Sequence, residues 1–278
     1  MGGFISTMPS SLEIFFSTLL LGLLLLLLHA YICRFGLWAG LFGGISIGAF
    51  AGLVVPLEMA ALGLSGRLWS LGLGIVTICT FWIIVILFRF YRDPERISPP
   101  GENFIVSPAD GKVMYVKEIH RGKVPLSTKG GKQFELTELT RTNLVEQPTY
   151  LIGIEMSILN VHVNRAPIPG KIVMQKRVNG DFISLKNPEA PIRNSRLTTV
   201  IENGRIRIAV IQIASRLVRL ITSFVKPGDE LSLGQRLGMI KFGSQVDLVL
   251  PQLEGLRILA EVGKQVKAGV SVLATYGN

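Results

Sequence analysis

Cysteine and histidine are scarce in this chain, and their positions exclude several kinds of site. The two cysteines, Cys33 and Cys79, both fall in the apolar N-terminal third, so neither a disulfide framework nor a Cys-x-x-Cys metal site can be built. The sequence therefore predicts no metal. A pyridoxal phosphate site is not predicted either, because no set of a Schiff-base lysine with phosphate and ring-nitrogen partners can be assembled.

Charge is almost absent from the first 88 residues, which contain two basic and two acidic side chains. The formal net charge of +10 therefore lies on the remainder, with 27 of the 29 basic and 17 of the 19 acidic residues. A basic domain next to an apolar region favours an anionic lipid surface as its partner, with a solvated basic surface as the alternative. Nucleic acid is disfavoured because no base-stacking motif or basic and aromatic run occurs.

Three apolar runs fill the uncharged region, at residues 12–32, 35–57 and 68–88. Each is near the ~20 residues that a helix needs to cross a bilayer, so they predict three spans. His29, inside the first run, is expected to be a packed or interfacial residue and not a ligand. Glycines spaced four apart in the second run predict a helix face that a neighbouring helix can approach closely. These glycines are Gly36, Gly40, Gly44, Gly48 and Gly52.

Basic residues near the ends of the runs predict the orientation. Arg89, Arg92 and Arg96 follow the third run, and Arg34 follows the first. Because positive charges near span ends favour the cytoplasm, the C-terminal ends of the first and third runs are predicted to lie on the cytoplasmic side. Arg67 counts against this orientation but is outnumbered. The sequence thus predicts a multi-pass protein of the cell membrane with its C-terminal domain in the cytoplasm.

A proline-rich linker at 93–103 ends the helical region, so we divide the chain into a transmembrane anchor, 1–92, and a second domain, 93–278. Short β-branched segments bounded by Gly, Pro or Asn then predict a mostly antiparallel β domain of the α+β class. They lie at 113–116, 150–156, 171–178, 196–201, 205–213, 246–250, 256–262 and 270–276.

Three further features of the second domain carry predictions. A short helix is expected over 215–224, from leucine and isoleucine at helical spacing, and a long loop over 120–148. The segments 228–234 and 263–269 share the form Gly-x-x-aliphatic-x-x-Gly, which suggests two similar strand-turn-strand units. Such turns also occur in lipoyl- and biotinyl-carrier barrels.

Four motifs follow one another along the chain and together are far more specific than any one alone. They are Phe-Tyr-Arg-Asp-Pro-Glu-Arg at 90–96, Ser-Pro-Ala-Asp-Gly-Lys-Val at 107–113, Asn-Val-His-Val-Asn-Arg-Ala-Pro at 160–167 and Lys-Phe-Gly-Ser-Gln-Val-Asp-Leu-Val-Leu-Pro at 241–251. In these motifs the chain resembles the pyruvoyl-dependent phosphatidylserine decarboxylases, in particular their short branch, over roughly residues 88–278. It departs at Lys241 and Gln245, where the short branch commonly has arginine on both sides of Phe-Gly-Ser.

The Gly243–Ser244 bond has the composition needed for self-cleavage. Gly243 has no Cβ and can expose its carbonyl group, and Ser244 supplies a hydroxyl beside it. A tight turn before a strand is the alternative for an isolated Gly-Ser pair. The resemblance implies that the Ser244 hydroxyl attacks the Gly243 carbonyl, that the chain is cut there, and that residue 244 becomes a pyruvoyl group that forms a Schiff base with substrate. The 278 residues would then divide into a β chain of 243 and an α chain of 35.

A serine hydroxyl is a poor nucleophile near neutral pH, so a base is needed. His162 is predicted for this role, since the other two histidines lie in an apolar run and in the polar stretch after residue 119. Within the family pattern Asp110 is expected to fix its tautomer, as in a Ser-His-Asp triad. Weaker candidates for contact with a substrate phosphate, for which solvated or ion-paired surfaces are an equal explanation, are Asn160, Arg165, Arg193 and Arg196.

The resemblance implies a membrane-embedded enzyme that converts phosphatidylserine to phosphatidylethanolamine. Its partners would be phosphatidylserine and other anionic lipids, and the α and β chains of one precursor would stay together; homo-oligomerisation is left open. Two alternatives remain. One is a decarboxylase of archaetidylserine, the ether-linked archaeal serine lipid, and the other is a membrane-tethered, carrier-like binding module without catalysis.

Overall fold

A computed structural model describes the chain over residues 9–33, 36–101, 103–120, 123–125, 133–135, 137, 140, 148–185, 187–215, 220–241 and 244–277. Its internal contacts divide the chain into two compact units, Met1–Phe90 and Tyr91–Asn278.

Among the described residues, three helices of the first unit are long and apolar enough to cross a membrane. They are α1 (Ser11–Cys33), α2 (Leu37–Leu62) and α3 (Arg67–Tyr91). α1 begins with a capping box, because Glu13 Oε2 accepts a hydrogen bond from the Ser10 N–H at 2.8 Å while Ser10 Oγ accepts one from the Glu13 N–H at 3.2 Å. The three helices overlap the three apolar runs, and the predicted helical N-terminal region is confirmed.

The glycine face of α2 packs closely against α1. A Cβ atom placed on Gly44 would lie 2.8 Å from the Leu23 Cα, and one on Gly48 would lie 2.9 Å from the Leu19 Cα. Only a residue without a side chain fits so near a neighbouring backbone, which confirms the predicted packing face. Gly36 is the exception, since it precedes α2 and a Cβ there would meet nothing within 4 Å.

His29 is part of this helical packing. Its Nδ1 accepts a hydrogen bond of 2.9 Å from Trp82 Nε1, and the two rings meet edge to face with their centroids 5.8 Å apart. The contact joins α1 to α3, so the prediction that His29 is a packed residue is confirmed.

The described part of the second unit consists mainly of short strands and includes a short helix, α4 (Ala190–Arg193). The strands are β1 (Phe104–Val106), β2 (Gly111–Ile119), β3 (Lys123–Pro125), β4 (Gln133–Glu135), β5 (Thr149–Met156), β6 (Val163–Arg165), β7 (Gly170–Val178), β8 (Arg196–Glu202), β9 (Arg207–Ala214), β10 (Ile221–Ser223), β11 (Glu230–Leu231), β12 (Arg236–Ile240), β13 (Ser244–Pro251), β14 (Arg257–Ile258), β15 (Gln265–Val266) and β16 (Val272–Thr275).

An antiparallel sheet in the order β11-β7-β8-β9-β13-β5-β2-β15 forms the centre of the second unit. β13 lies in its interior, paired along its whole length with β5 and over its first six residues with β9. Two smaller sheets, β1-β16-β14 and β10-β12-β6, accompany it, and β3 pairs with β4. The predicted mostly antiparallel β domain is confirmed.

Both faces of β13 are buried. Val246, Leu248 and Leu250 belong to the main hydrophobic core, whereas Val249 belongs to a second apolar cluster. This alternation follows from the two-residue period of a strand. It leaves one charged residue, Asp247, on the same face as Val249 and fully buried.

The two glycine-bounded segments occupy equivalent places at opposite edges of the central sheet. β11, in the first segment, pairs with β7, and β15, in the second, pairs with β2. Their glycines also match in φ, at 96° and 74° for Gly228 and Gly234 and at 93° and 73° for Gly263 and Gly269. The predicted pair of similar turn units is therefore confirmed.

Two sequence predictions are corrected. The helix expected over 215–224 is wrong in its second half, where β10 pairs with β12 and buries Ile221; residues 216–219 lie outside the described residues. Pairing with a neighbouring strand here outweighs the helical spacing of the leucines. The strand expected over 256–262 is reduced to β14. The loop at 120–148, of which few residues are described, contains the β3-β4 pair.

Candidate active site

The predicted cleavage bond lies in the link between two strands. β12 ends at Ile240 and β13 begins at Ser244, while Gly243 lies outside the described residues. The backbone of Ser244 is paired with Met156 of β5 on one side and with Ala214 of β9 on the other. The position of residue 244 is thus fixed by two neighbouring strands.

The fold brings His162 toward the same end of β13 by two routes. β5 ends at Met156, the strand partner of Ser244, and the chain reaches His162 six residues later. From the other side, the Ile240 N–H donates a hydrogen bond of 3.3 Å to the His162 carbonyl oxygen, three residues ahead of Gly243. The backbone of His162 therefore lies beside the end of β12, three residues before Gly243 in the sequence.

Asn164, two residues after His162, ties β6 to both strands that flank Ser244. Its fully buried side chain contacts Met156 Sδ on β5 at 3.8 Å and accepts a hydrogen bond of 2.8 Å from Gln212 Nε2 on β9. A buried polar group without a hydrogen-bond partner destabilises the fold. The bond between the Asn164 and Gln212 amides therefore favours one placement of β6 relative to β9.

The hydrogen bonding of His162 assigns its tautomer. The ring is fully buried, and Nδ1 lies 2.9 Å from the Asn160 carbonyl oxygen. A carbonyl oxygen can only accept, so we assign the proton to Nδ1, which makes Nε2 the basic nitrogen. Burial lowers the pKa of His162 to about 4, against the opposing effects of the Asn160 hydrogen bond and the Asp110 charge. The imidazole is then neutral near neutral pH, as a general base must be.

Asp110 is held by Arg96 in a two-point ion pair. Arg96 Nη1 donates to Oδ1 at 2.5 Å and Nη2 donates to Oδ2 at 2.9 Å, while the Ala268 N–H donates to Oδ1 at 2.8 Å. The charge of Asp110 acts on His162 by raising its pKa. The hydrogen bond that sets the tautomer, however, comes from the Asn160 carbonyl and not from Asp110, which corrects the predicted arrangement.

Two of the predicted phosphate-binding arginines are buried and bound to the protein itself. Arg165 is 4% exposed and donates to the Gly234 carbonyl oxygen at 3.1 Å and to Asp93 Oδ1 at 2.9 Å. Arg196 is 1% exposed and donates to the Ile192 carbonyl oxygen at 2.6 Å. These contacts favour a structural role for both.

The other two candidates are also engaged within the protein. Arg193 lies at the surface, where Asp181 accepts its hydrogen bonds at 2.6 and 2.9 Å. The Asn160 side chain closes a turn by accepting from the Ser157 N–H at 2.7 Å. Asn160 thus contributes to the site through its carbonyl group, which the sequence pattern did not indicate.

The segment after α3, interpreted from the sequence as a linker, contacts three of the segments described above. Arg92 Nη2 donates to the Leu159 carbonyl oxygen at 3.1 Å, in the loop that leads to His162. Asp93 pairs with Arg165, and Arg96 pairs with the predicted triad acid. The Arg-Asp-Pro-Glu-Arg motif therefore contacts residues of the site. In the sequence, the only sign of these contacts was that this segment is one of the four family motifs.

A buried polar cluster on β13, which the sequence analysis missed, begins one residue after Ser244. Tyr115 Oη donates to Asp247 Oδ2 at 2.8 Å, and Gln245 Nε2 donates to Asp247 Oδ1 and to Tyr115 Oη, each at 2.7 Å. Burial raises the pKa of Asp247 to about 6, against the effects of these hydrogen bonds and of the Lys117 charge. In the sequence, the feature that could have indicated the cluster was an aspartate between valine and leucine residues of a predicted strand.

In the part of the chain that the structure describes, no group of three or more His, Cys, Asp or Glu residues is arranged to hold a metal ion.

An apolar helical unit followed by an antiparallel β domain, with a buried neutral histidine beside a Gly-Ser link, defines a class of membrane-associated enzyme. Comparison with known proteins gives the family. The sequence model of the family described as phosphatidylserine decarboxylase matches residues 84–274. The chain belongs to this family and is a decarboxylase.

Two relatives show how far the similarity extends. The chain is 37% identical over 213 residues to a phosphatidylserine decarboxylase proenzyme of Geobacter sp. (strain M21), covering 76% of this chain and 87% of the relative. It is 36% identical over 199 residues to a protein of Methanocaldococcus jannaschii that carries the name of an archaetidylserine decarboxylase proenzyme, covering 72% and 93%.

Proposed function

We propose that this protein is a phosphatidylserine decarboxylase that matures by cutting itself between Gly243 and Ser244. The observation that carries the proposal is the buried, neutral His162, whose backbone is hydrogen-bonded to Ile240 at the end of β12, three residues before Gly243. Membership of the decarboxylase family supports the reaction class, and the name of the Geobacter relative supports the lipid substrate.

Maturation proceeds from the hydroxyl of Ser244 and the base at His162. Nε2 of His162 accepts the hydroxyl proton as the Ser244 oxygen attacks the Gly243 carbonyl carbon, which converts the amide into an ester. The peptide C–N bond breaks as the ester forms, and the nitrogen of residue 244 takes up the proton to become an amine. Elimination then removes the Cα proton of residue 244 and breaks its Cβ–Oγ bond, releasing Gly243 as a carboxylate and leaving dehydroalanine at position 244. Hydrolysis of dehydroalanine releases ammonia and gives the pyruvoyl group. Asp110 supports the step by stabilising positive charge on the imidazole.

The residues around position 244 fit a pyruvoyl group. The group would remain bonded to Gln245, at the start of a strand that β5 and β9 hold from both sides. It supplies an electron sink for the pair of electrons left when CO2 leaves the substrate. His162 is the residue that would return a proton to the product. Asn160 keeps the imidazole oriented in both steps.

The membrane location and the two chains follow from the same proposal. Residues 1–92 would anchor the protein, and the basic residues at and after the end of α3 favour a cytoplasmic position for residues 93–278. The acyl chains of phosphatidylserine stay in the bilayer while its headgroup is converted to that of phosphatidylethanolamine. The cut yields chains of 243 and 35 residues, which stay associated because β13 of the shorter chain is paired with β5 and β9 of the longer.

Archaetidylserine is the second candidate substrate, and the name of the Methanocaldococcus relative is the observation that favours it. Both lipids present the same serine headgroup, so the chemistry at residue 244 does not separate them. Release of CO2 from phosphatidylserine and from archaetidylserine, each supplied in mixed micelles, distinguishes the two through the ratio of kcat/KM.

The central test compares the wild type with Ser244→Ala in detergent. We expect the wild type to yield two chains, with the C-terminal chain of 35 residues blocked at its first residue and releasing CO2 from phosphatidylserine. Ser244→Ala should remain a single chain without activity. An intact, correctly folded wild type with unmodified Ser244 would overturn the proposal, and binding of the lipid without CO2 release would favour a non-catalytic module.

A further inference from the structure

The cluster formed by Tyr115, Gln245 and Asp247 is shaped around the residue next to the proposed cut. Asp247 is fully buried and Gln245 is 7% exposed. Tyr115 Oη donates to one carboxylate oxygen of Asp247 and Gln245 Nε2 donates to the other. Since Gln245 Nε2 also donates to Tyr115 Oη, each of the three residues contacts the other two.

Gly153 is the feature that allows this cluster to form. Tyr115 and Asp247 lie on β2 and β13, which are separated by β5, and Gly153 of β5 is the register partner of both residues. A Cβ on Gly153 would lie 2.3 Å from Tyr115 Cζ, so the tyrosine ring occupies the space where a side chain would be. Gly153 is not among the glycines with positive φ. A glycine is therefore needed at position 153 to leave room for the Tyr115 ring, and not to allow a backbone conformation that other residues avoid.

The cluster has apolar neighbours on β9 and charged ones on β5 and β2. On β5, the register partner of Gln245 is Glu155. On β9, the register partners of Gln245 and Asp247 are Ile213 and Ile211. From β2, Lys117 places its Nζ 4.7 Å from the centroid of the Tyr115 ring. Asp247 and Gln245 are nevertheless buried, and an unpaired polar group is costly in a buried position.

Such a cluster specifies the register of β13 more sharply than the rest of the strand does. On the core face the strand carries Val246, Leu248 and Leu250, similar aliphatic side chains that discriminate only weakly against a shift of two residues. A shift of one residue would move the polar side chains of Gln245 and Asp247 into the main core. Either shift breaks the hydrogen bonds that Gln245 and Asp247 form with Tyr115 of β2, so only one register satisfies all three residues.

We propose that Tyr115, Gln245 and Asp247 act as positioning residues that hold the pyruvoyl-forming residue 244 in place after the chain has been cut. The inference rests on the proposed function. Before the cut, residue 244 is held by the chain on both sides. After it, Gln245 is its sole covalent neighbour, so the placement of the new group depends on how firmly residue 245 is held.

This reasoning predicts different effects on the two reactions. Loss of the cluster should slow decarboxylation by the mature enzyme more than it slows self-cleavage, because the uncut chain supplies a second restraint. A displacement of about 1 Å in a reacting group can reduce a rate about 100-fold. We therefore expect kcat for decarboxylation of phosphatidylserine to fall by about 10- to 100-fold, with little change in KM.

The experiment uses full-length protein in detergent micelles with phosphatidylserine and measures both the rate of cleavage and the release of CO2. Tyr115→Phe removes only the hydroxyl, and Gly153→Ala displaces the ring. Tyr150→Phe is the matched control, since it removes a hydroxyl from neighbouring β5 whose partner is the exposed Gln252 at 3.2 Å. Val249→Ala is the control for stability, because it removes a buried side chain from the same face of β13, in the apolar cluster against which Tyr115 packs, but leaves every hydrogen-bonding group of the polar cluster in place.

We expect Tyr115→Phe and Gly153→Ala to cleave fully but to lose kcat, and both controls to keep it. The proposal is overturned if Tyr115→Phe retains the wild-type kcat, or if Val249→Ala loses as much as the cluster variants do. Should Gly153→Ala fail to fold, Tyr115→Phe still decides the outcome. A wild-type chain that never cleaves would contradict the proposed function itself, which this design separates from failure of the positioning role.

Discussion

Two buried titratable residues, His162 and Asp247, should contribute opposite pH dependences to the stability of the fold. Because the two contributions cancel in the wild type, replacing one residue should reveal the contribution of the other. His162 and Asp247 have pKa values shifted in opposite directions by burial, to about 4 and to about 6. Each disfavours its charged form inside the β domain. The consequences for folding have opposite signs because one group is charged when protonated and the other when deprotonated.

The magnitudes follow from the shifts. For His162, with an ordinary pKa of 6.5, the unfolded chain binds a proton between pH 4 and 6.5 and the folded one does not, so stability rises with pH by about 3 kcal/mol. For Asp247, with an ordinary pKa of 3.8, the folded chain keeps the proton up to pH 6, so stability falls with rising pH by about 3 kcal/mol. In the wild type the two contributions nearly cancel between pH 4 and 6.

The assay compares Asp247→Asn and His162→Gln, both in a Ser244→Ala background that keeps the chain uncut. Hydrogen exchange of peptides from the central sheet, corrected for intrinsic rates, gives the free energy of opening in detergent from pH 4 to 7. The parent for both is the Ser244→Ala variant. Between pH 4 and 7, the free energy of opening of Asp247→Asn should increase relative to the parent by about 3 kcal/mol, and that of His162→Gln should decrease by a similar amount.

The comparison between variants removes the contribution of all other titrating groups, which the three proteins share. Parallel curves for the parent and Asp247→Asn would refute the assignment of a raised pKa to Asp247. A His162→Gln curve that rises with pH relative to the parent would refute the assignment of a lowered pKa to His162, and with it the neutral base at low pH.

Three further outcomes are expected. The rate of self-cleavage should increase through pH about 4 and then remain level, in line with the lowered pKa of His162; an increase centred near 6.5 in rapid-mixing experiments would contradict this. Arg96→Met should destabilise the β domain by about 3–5 kcal/mol, because it leaves a buried carboxylate without its cation, whereas Arg193→Met at the surface should change the hydrogen-exchange stability little. Gly44→Val should weaken the packing of α1 and α2 by about 1–3 kcal/mol, and Gly72→Val, where a Cβ meets nothing within 4 Å, should not; equal thermal stability of both variants in detergent would argue against the glycine face.

The sequence was most informative where a pattern is local. Apolar runs of span length predicted α1, α2 and α3, and the four-residue glycine spacing predicted the close approach of α2 to α1. Alternating β-branched residues likewise predicted most strands of the central sheet. In each case the structure depends on the burial of one face or of a whole helix. The residues that determine this burial are close together in the sequence.

The contacts of the site could not be predicted in the same way because they join distant segments. Arg96 pairs with an aspartate 14 residues away and also donates to a carbonyl oxygen 172 residues away, at Ala268. The tautomer of His162 is set by a backbone carbonyl, which every residue possesses and which therefore leaves no trace in the sequence. β10 shows the same limit, since its pairing with β12 outweighs a local helical pattern.

The position of the proposed cut within the sheet explains how a chain can break itself without losing its fold. The cut falls immediately before Ser244, the first residue of β13 to be paired, so the pairing of β13 with β5 and β9 from Gln245 onward remains after cleavage. The 35-residue chain also carries β15 and β16, which pair with β2 and β1 of the longer chain. A cut several residues later would divide β13 and expose unpaired backbone groups in the sheet interior, at a cost for each group. The new chain end is thus formed where the sheet already holds it on both sides, which places the reactive group at the first fixed residue.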